Sequence, residues 1–267
     1  MAFLICIKLL KDINFLNKEI IELATNKGPL HQFEISSIYD IKLYNTDISF
    51  TNSSLSMLIA IALAGLVFYI GSNKNGSTPS RLQVLIEMSY DFIANMVKDN
   101  VGNGGKPYFP FIFTLFLFIL FGNVLGMVPY NFTYTSHIIV TFGLAGFVFI
   151  GVTIIGILKH GINFLKFFVP SGVPIALLPI LIPIEIISYL VRPVSLSLRL
   201  FANMMAGHTM MKVFGGFVIS LGIVGGWLPL SFSVALTGLE ILVAFLQAYV
   251  FAILTCIYLN DALNLHH

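Results

Sequence analysis

The sequence predicts an all-α protein that crosses a membrane several times, with about five or six membrane helices. Of its 267 residues, 57% are hydrophobic and only 10% are charged, against about 25% charged residues in a typical soluble protein. No Asp, Glu, Lys or Arg occurs from Pro107 to Leu158, and a membrane helix needs about 20 apolar residues. These features exclude an ordinary soluble enzyme, a disordered chain and a nucleic-acid-binding protein.

The elements follow in a simple order along the chain. Residues 1–50 are mixed and moderately polar, and we interpret them as an extension before a single membrane domain at 51–267. Apolar residues recur at helical spacing over residues 80–99 with charges between them, which is typical of an amphipathic helix at the membrane interface. The first three membrane spans are predicted near 55–71, 107–129 and 135–158.

The last third of the chain predicts two unusually long helices. Helical patterning from 174 to 222 would give a helix of roughly 70 Å, more than twice the hydrocarbon thickness of about 30 Å. This segment must therefore break, or lie strongly tilted in the membrane. A second long helix is predicted at 228–260, and the two would form a hairpin.

Basic residues set the expected orientation. Lys and Arg cluster within 72–106 and 159–170, and by the positive-inside rule both segments face the cytoplasm or matrix. The amino terminus and the turn at 222–229 are then outside, and the carboxyl terminus is inside.

Polar residues form one stripe on each long helix. Glu185, Arg192 and Arg199 recur every seven residues, with Ser188, Ser195 and Asn203 on the same stripe, and Thr237, Glu240 and Gln247 share a face of the last helix. A charged group at bilayer depth costs at least about 2.5–3.5 kcal/mol and usually has a function. The two stripes can face each other or a common partner.

The individual charges differ in what they indicate. Arg199 has no acidic neighbour four residues away, which favours a functional role. Arg192, beside a proline, is either a snorkelling anchor or part of an ion pathway. His208 indicates function only if an acid lies beside it.

Other chemistries find little support in the sequence. The only two cysteines, Cys6 and Cys256, are interpreted as small buried hydrophobes. There is no Gly-x-x-x-x-Gly-Lys phosphate loop, and no cofactor, metal or catalytic residue is predicted. A secondary ion-coupled transporter and a structural subunit of a respiratory complex remain as alternatives, although a transporter would often show an internal repeat.

The run from Arg192 to His208, RPVSLSLRLFANMMAGH, closely resembles the signature of subunit a of F-type ATP synthases. Residues 122–130, 132–137 and 239–251 carry further likeness, and the resemblance covers the chain from about residue 30. Some bacterial members of the family have Glu at the position of His208 and His at the position of Glu240. This sequence has the two residues exchanged, with His at 208 and Glu at 240. That arrangement resembles the mitochondrial or alphaproteobacterial type.

The resemblance implies a function. Family members form the stationary, proton-translocating part of a rotary motor, in which a ring of c subunits with buried carboxylates turns past two tilted helices. Two half-channels lead protons to and from the ring. Arg199 matches the essential arginine of the family, and Glu185 matches an acidic position of the inner, exit half-channel. The positions that match the outer half-channel are His208, Glu240 and Gln247, with Asn203 and Ser195 as further channel-lining groups.

The resemblance also implies partners and a location. The expected partners are the ring of c subunits, the peripheral stalk subunit b, other ATP synthase subunits and membrane lipid, with no nucleic acid. The chain itself would be a non-catalytic part of the complex. The expected location is the mitochondrial inner membrane as a multi-pass protein, with the bacterial inner membrane as the alternative.

Overall fold

The computed structural model describes residues 33–40, 42–43, 46–47, 49–72, 80–128, 132–161, 164 and 177–264. Within these ranges, two small antiparallel strand pairs precede six α-helices. The strands are β1 (Ser37–Tyr39), β2 (Lys42–Leu43), β3 (Thr46–Asp47) and β4 (Phe50–Thr51). The helices are α1 (Asn52–Ser72), α2 (Arg81–Val101), α3 (Phe109–Gly126), α4 (Ile138–His160), α5 (Leu178–Gly225) and α6 (Trp227–Leu263).

The helices confirm the predicted all-α polytopic membrane fold. Among the described residues, five helical stretches are long and apolar enough to cross a membrane, and inside a bilayer a helix satisfies all of its backbone hydrogen bonds internally. The predicted spans at 55–71, 107–129 and 135–158 correspond to α1, α3 and α4. The predicted amphipathic helix at 80–99 is α2, and Ser80 caps it by accepting a 3.2 Å hydrogen bond from the Gln83 amide.

Two short features differ from the sequence-based expectation. The segment before α3, between the predicted helix at 80–99 and the predicted span at 107–129, is a 3₁₀ helix over Gly102–Tyr108. In the strand pairs, Ser37 lies opposite Thr51, and Lys42 lies opposite Asp47. Strands of two or three residues are too short to show an alternating pattern, so the sequence gives no signal for them. Residues 1–32, which include most of the proposed extension and Cys6, lie outside the described part of the chain.

Helix α6 lies at the centre of the helix packing. It contacts α2, α3, α4 and α5, and its buried face carries Ala244, Ala248, Ala252 and Cys256, none of them exposed. Small residues let membrane helices approach closely, so that van der Waals contacts can hold them together. Burial of Cys256 agrees with its interpretation as a small hydrophobe.

Helix α5 is continuous over most of its length. It continues through Pro183 and Pro193, and the backbone leaves helical conformation only at Gly222, with φ 66° and ψ −165°. A left-handed φ is easily adopted only by glycine, which explains the end of the regular helix there. From Leu178 to Gly222 the helix is therefore unbroken over more than the hydrocarbon thickness. Of the two alternatives, a break or a strong tilt, the tilt remains as the expectation.

Contacts at the helix ends bring the ends of three helices together. Lys159 Nζ donates a 3.0 Å hydrogen bond to the Leu263 carbonyl oxygen, and His160 Nε2 lies 3.1 Å from the same oxygen. The 3₁₀ helix Gly102–Tyr108 also contacts α6. The ends of α2, α4 and α6 thus lie together, as the predicted orientation requires for segments on one side of the membrane.

The orientation can be tested with single cysteines in a background that carries Cys6→Ser and Cys256→Ala. Asn103 is exposed in the 3₁₀ helix, and Leu228 is 72% exposed near the α5–α6 turn. We expect an impermeant thiol reagent to label Asn103→Cys only from the cytoplasmic side and Leu228→Cys only from the outer side. Labelling in the reverse pattern would contradict the orientation.

The connection between α3 and α4 is fixed by one tightly packed tyrosine. Tyr134 is 1% exposed, and its hydroxyl donates a 2.8 Å hydrogen bond to the Phe118 carbonyl oxygen. A Cβ atom at Gly122 would overlap this hydroxyl. The position therefore requires glycine because of the space that Tyr134 occupies.

We expect Gly122→Ala to destabilise the protein by about 1–3 kcal/mol, because the added methyl group must displace Tyr134 from a well-packed site. The matched control is Gly143→Ala, since a Cβ atom there meets nothing within 4 Å. Thermal unfolding of the detergent-solubilised variants measures the difference. Equal stability of the two variants would mean that Tyr134 does not need this space.

Candidate functional site

Polar side chains of α5 and α6 meet at two contacts. The Nδ2 atom of Asn203 donates a 2.9 Å hydrogen bond to Oε1 of Gln247. One turn further along α5, Nδ1 of His208 lies 3.4 Å from Oε1 of Glu240. The chain turns between the two helices around Gly222, where the backbone leaves helical conformation, so these contacts follow from antiparallel packing in a single register.

The His208 and Glu240 side chains form a buried titratable pair. The two residues are 8% and 6% exposed. The second ring nitrogen of His208, Nε2, lies 3.2 Å from Oγ1 of Thr133, so both nitrogens have a polar neighbour. Neither carboxylate oxygen of Glu240 accepts a hydrogen bond from the described residues. An acid and a base in contact, with spare hydrogen-bonding capacity, can exchange a proton.

A glycine makes room for this pair. A Cβ atom at Gly207 would lie 2.7 Å from Oε1 of Glu240, closer than real Cβ atoms approach an oxygen. The absence of a side chain at 207 therefore lets the carboxylate lie beside α5, next to His208.

A cavity of about 840 Å³ reaches His208 from the side of α1 and the α3–α4 connection. Most of its lining is apolar, and the polar part of the lining comes from Asn52, Ser56, Thr133, His208, Lys212 and Thr237. A cavity of this size, with several polar groups beside the imidazole, has room for water.

Arg199 occupies a different environment from these paired groups. Its side chain is exposed on α5, whereas the neighbouring Leu196 and Leu200 are 2% and 0% exposed and pack inward. No salt bridge to Arg199 forms within the described residues. Ser195, one turn earlier, is also exposed. This part of α5 presents a permanent cation to whatever lies beside the helix.

Arg192 is paired within the chain. Its Nη1 atom donates a 2.9 Å hydrogen bond to Oδ2 of Asp261 on α6. Its guanidinium carbon also lies 5.5 Å and 5.2 Å from the ring centroids of Tyr189 and Tyr258. The contacts with Asp261 and Tyr258 join α5 to α6, so Arg192 has a packing role that neither interpretation of it predicted.

Glu185 lies on the opposite side of Arg199 from His208. It is half-buried on α5, and at 1.5 Å per residue it is about 21 Å from Arg199 along the helix axis. His208 is about 14 Å from Arg199 in the other direction. The structure does not bring Glu185 to the His208–Glu240 pair, and the separation agrees with its assignment to a different half-channel.

Several residues of the site escaped the sequence analysis. Thr133 and Lys212 contribute to the cavity beside His208, and Asp261 pairs with Arg192. Lys212, one helical turn after His208, could have been found from spacing alone. Asp261 and Thr133 could not be found in this way, because their contacts depend on how the helices are aligned against each other. Within the described part of the chain, no group of three or more His, Cys, Asp or Glu residues is placed to hold a metal ion.

The chain is similar to a known family and to several known proteins. The family model described as ATP synthase A chain matches residues 54–260. ATP synthase subunit a of Pelagibacter ubique (strain HTCC1062) is 70% identical over 246 residues, which cover 92% of this chain and 100% of the relative.

Two further relatives are named ATP synthase subunit a. The protein of Chelativorans sp. (strain BNC1) is 56% identical over 90% of this chain and 98% of its own length. The protein of Rhodospirillum rubrum is 55% identical over 90% and 99%, respectively. All three organisms are bacteria, which supports the bacterial inner membrane of the two expected locations.

Proposed function

Because the chain belongs to the ATP synthase A chain family, we propose a proton route through it and a role for each polar side chain. The chain is a proton-translocating stator subunit in the membrane sector of an ATP synthase, located in the bacterial inner membrane. It works as one component of a larger complex in that membrane. Family membership excludes the transporter and the respiratory-complex subunit as alternatives.

The proposed partners are a ring of c subunits with buried carboxylates and the peripheral stalk subunit b. The observation that supports a ring partner is the exposed Arg199 on an otherwise apolar helix surface, because a permanent cation in that position needs an anion from another chain. We also propose that the subunit carries no catalytic residue of its own.

In the proposed outer route, protons enter through the cavity and reach His208. The imidazole and the Glu240 carboxylate, 3.4 Å apart, then relay each proton inward. Gln247 and Asn203, joined by a hydrogen bond, continue the polar path toward Arg199. The alignment of these two contacts along the α5–α6 interface is the observation that carries the proposal.

In the proposed exit route, protons leave past Ser195 and Glu185 on the other side of Arg199. Arg199 separates the two routes. A guanidinium keeps its charge in proteins, so it favours the ionised form of a ring carboxylate that comes beside it. The same charge repels a proton that would pass directly from one half-channel to the other.

The relay can be tested by Glu240→Gln, which keeps the side-chain shape but removes the proton-binding carboxylate. We expect proton flux to fall by roughly 10²-fold, the usual order for loss of a proton-transferring group, while the complex still assembles. ATP-driven acidification of membrane vesicles, normalised to assembled complex, measures the flux.

A control distinguishes a shared relay from separate roles. Because the two groups are in contact, the double exchange His208→Glu with Glu240→His should recover part of the flux that His208→Glu alone loses. Full activity of Glu240→Gln, or a double exchange no better than the single variants, would contradict the relay.

Arg199→Ala tests whether the positive charge of Arg199 separates the two proton routes. We expect it to abolish ATP-driven proton pumping and to open a passive proton leak, because ring carboxylates are no longer held ionised and the electrostatic barrier is gone. Arg199→Lys should also fail or be severely impaired, since a buried ammonium is compact and can lose its proton. Proton flux through reconstituted membrane sectors measures both effects.

A purely structural arginine would behave differently in the same experiment. Arg199→Ala would then assemble poorly, Arg199→Lys would largely restore assembly, and correctly assembled complexes would not leak. Normal pumping by Arg199→Ala would remove the basis of the proposed mechanism.

A further inference from the structure

The end of the α5–α6 hairpin that lies away from Gly226 contains a second arginine with a dedicated counter-ion. Arg192 on α5 and Asp261 on α6 approach to 2.9 Å, and their side chains are 23% and 29% exposed. The pair is therefore partly shielded from solvent, where an ion pair is screened less than at an open surface. The pair adds no net charge at this position, because the negative charge of Asp261 balances the positive charge of Arg192.

Two tyrosine rings hold Arg192 in this position. Its guanidinium lies near the rings of Tyr189 and Tyr258, at distances typical of cation–π contacts. The Tyr189 hydroxyl lies 2.7 Å from Oγ1 of Thr153 on α4. The arginine thus helps to join three helices. This packing role gives a reason for an arginine at position 192, although its charge then needs a counter-ion.

Arg192 and Arg199 share one face of α5. Seven residues are almost two full turns, so the side chains point in nearly the same direction and lie about 10 Å apart along the axis. The two arginines differ in pairing: Arg192 has Asp261, whereas Arg199 has no salt bridge among the residues that the structure describes.

We propose that Asp261 neutralises Arg192 so that passing ring carboxylates meet a single unpaired guanidinium, that of Arg199. This inference rests on the proposed role of Arg199. An unpaired Arg192 would hold a carboxylate ionised at a second position. Each ring step would then have to break two attractions instead of one, and rotation would slow. Arg192 and Asp261 are positioning residues in this view, since they act through the charge pattern around Arg199.

The experiment uses the assembled ATP synthase in membrane vesicles and compares three variants of the pair. Asp261→Asn leaves Arg192 unpaired, Asp261→Glu keeps the counter-ion, and Arg192→Gln with Asp261→Asn removes both charges. Asp91→Asn is the matched control, because it removes one exposed carboxylate from α2, away from the pair. ATP-driven proton pumping is measured and normalised to assembled complex.

We expect Asp261→Asn to lower pumping at least several-fold, while Asp261→Glu and Asp91→Asn stay close to wild type. The double neutral variant should recover most of the loss, because no extra cation remains. A purely structural pair predicts instead that the double variant is no better than Asp261→Asn. That result, or wild-type pumping by Asp261→Asn, would overturn the proposal. Failure of Asp261→Asn to assemble would also overturn it if the double variant assembles no better.

Arg199→Ala, measured in the same vesicles, separates this inference from the function on which it rests. If Arg199→Ala pumps normally, the proposed role of Arg199 is wrong and the neutralisation loses its purpose. If Arg199→Ala abolishes pumping while Asp261→Asn pumps like wild type, only the neutralisation is wrong.

Discussion

The arrangement of this subunit depends on one constraint: polar side chains on an apolar helix pair must find partners across the interface or outside the chain. Antiparallel packing of α5 on α6 meets the constraint in a single register, in which Asn203 faces Gln247, His208 faces Glu240, and Arg192 faces Asp261. A shift by one residue along either helix would turn these groups apart. The paired groups therefore fix the relative position of the helices, which apolar contacts alone specify weakly in lipid.

Arg199 is informative because it departs from that pattern. Arg192 has the counter-charge of Asp261 and Glu240 has His208 beside it, while Arg199 is exposed beside buried leucines. An uncompensated cation on a membrane helix is expensive. In the proposed function this cation is retained because a stator needs an attraction that can be formed and broken with each successive ring subunit.

Much of the fold could be predicted from the sequence, because lipid imposes long apolar helices and few alternatives. The predicted spans agree with α1, α3 and α4 to within a few residues, and Asn203, Glu240 and Gln247, which make contacts across the hairpin, belong to the stripes predicted from spacing. The contacts between the stripes were harder to predict. The pairing of Arg192 with Asp261 joins residues that are 69 positions apart, so it depends on the register of the hairpin. The cavity depends on residues of several elements, and strands of two or three residues leave no periodic pattern to detect.

In the proposed function, the length of α5 lets one helix serve two proton routes. From Glu185 to His208 the helix extends about 35 Å along its own axis. Arg199 lies between these two residues, about 21 Å from Glu185 and about 14 Å from His208. Packing along α5 alone sets no boundary between the two proposed routes. A fixed positive charge provides that boundary, since it opposes a proton from either side while still attracting a carboxylate.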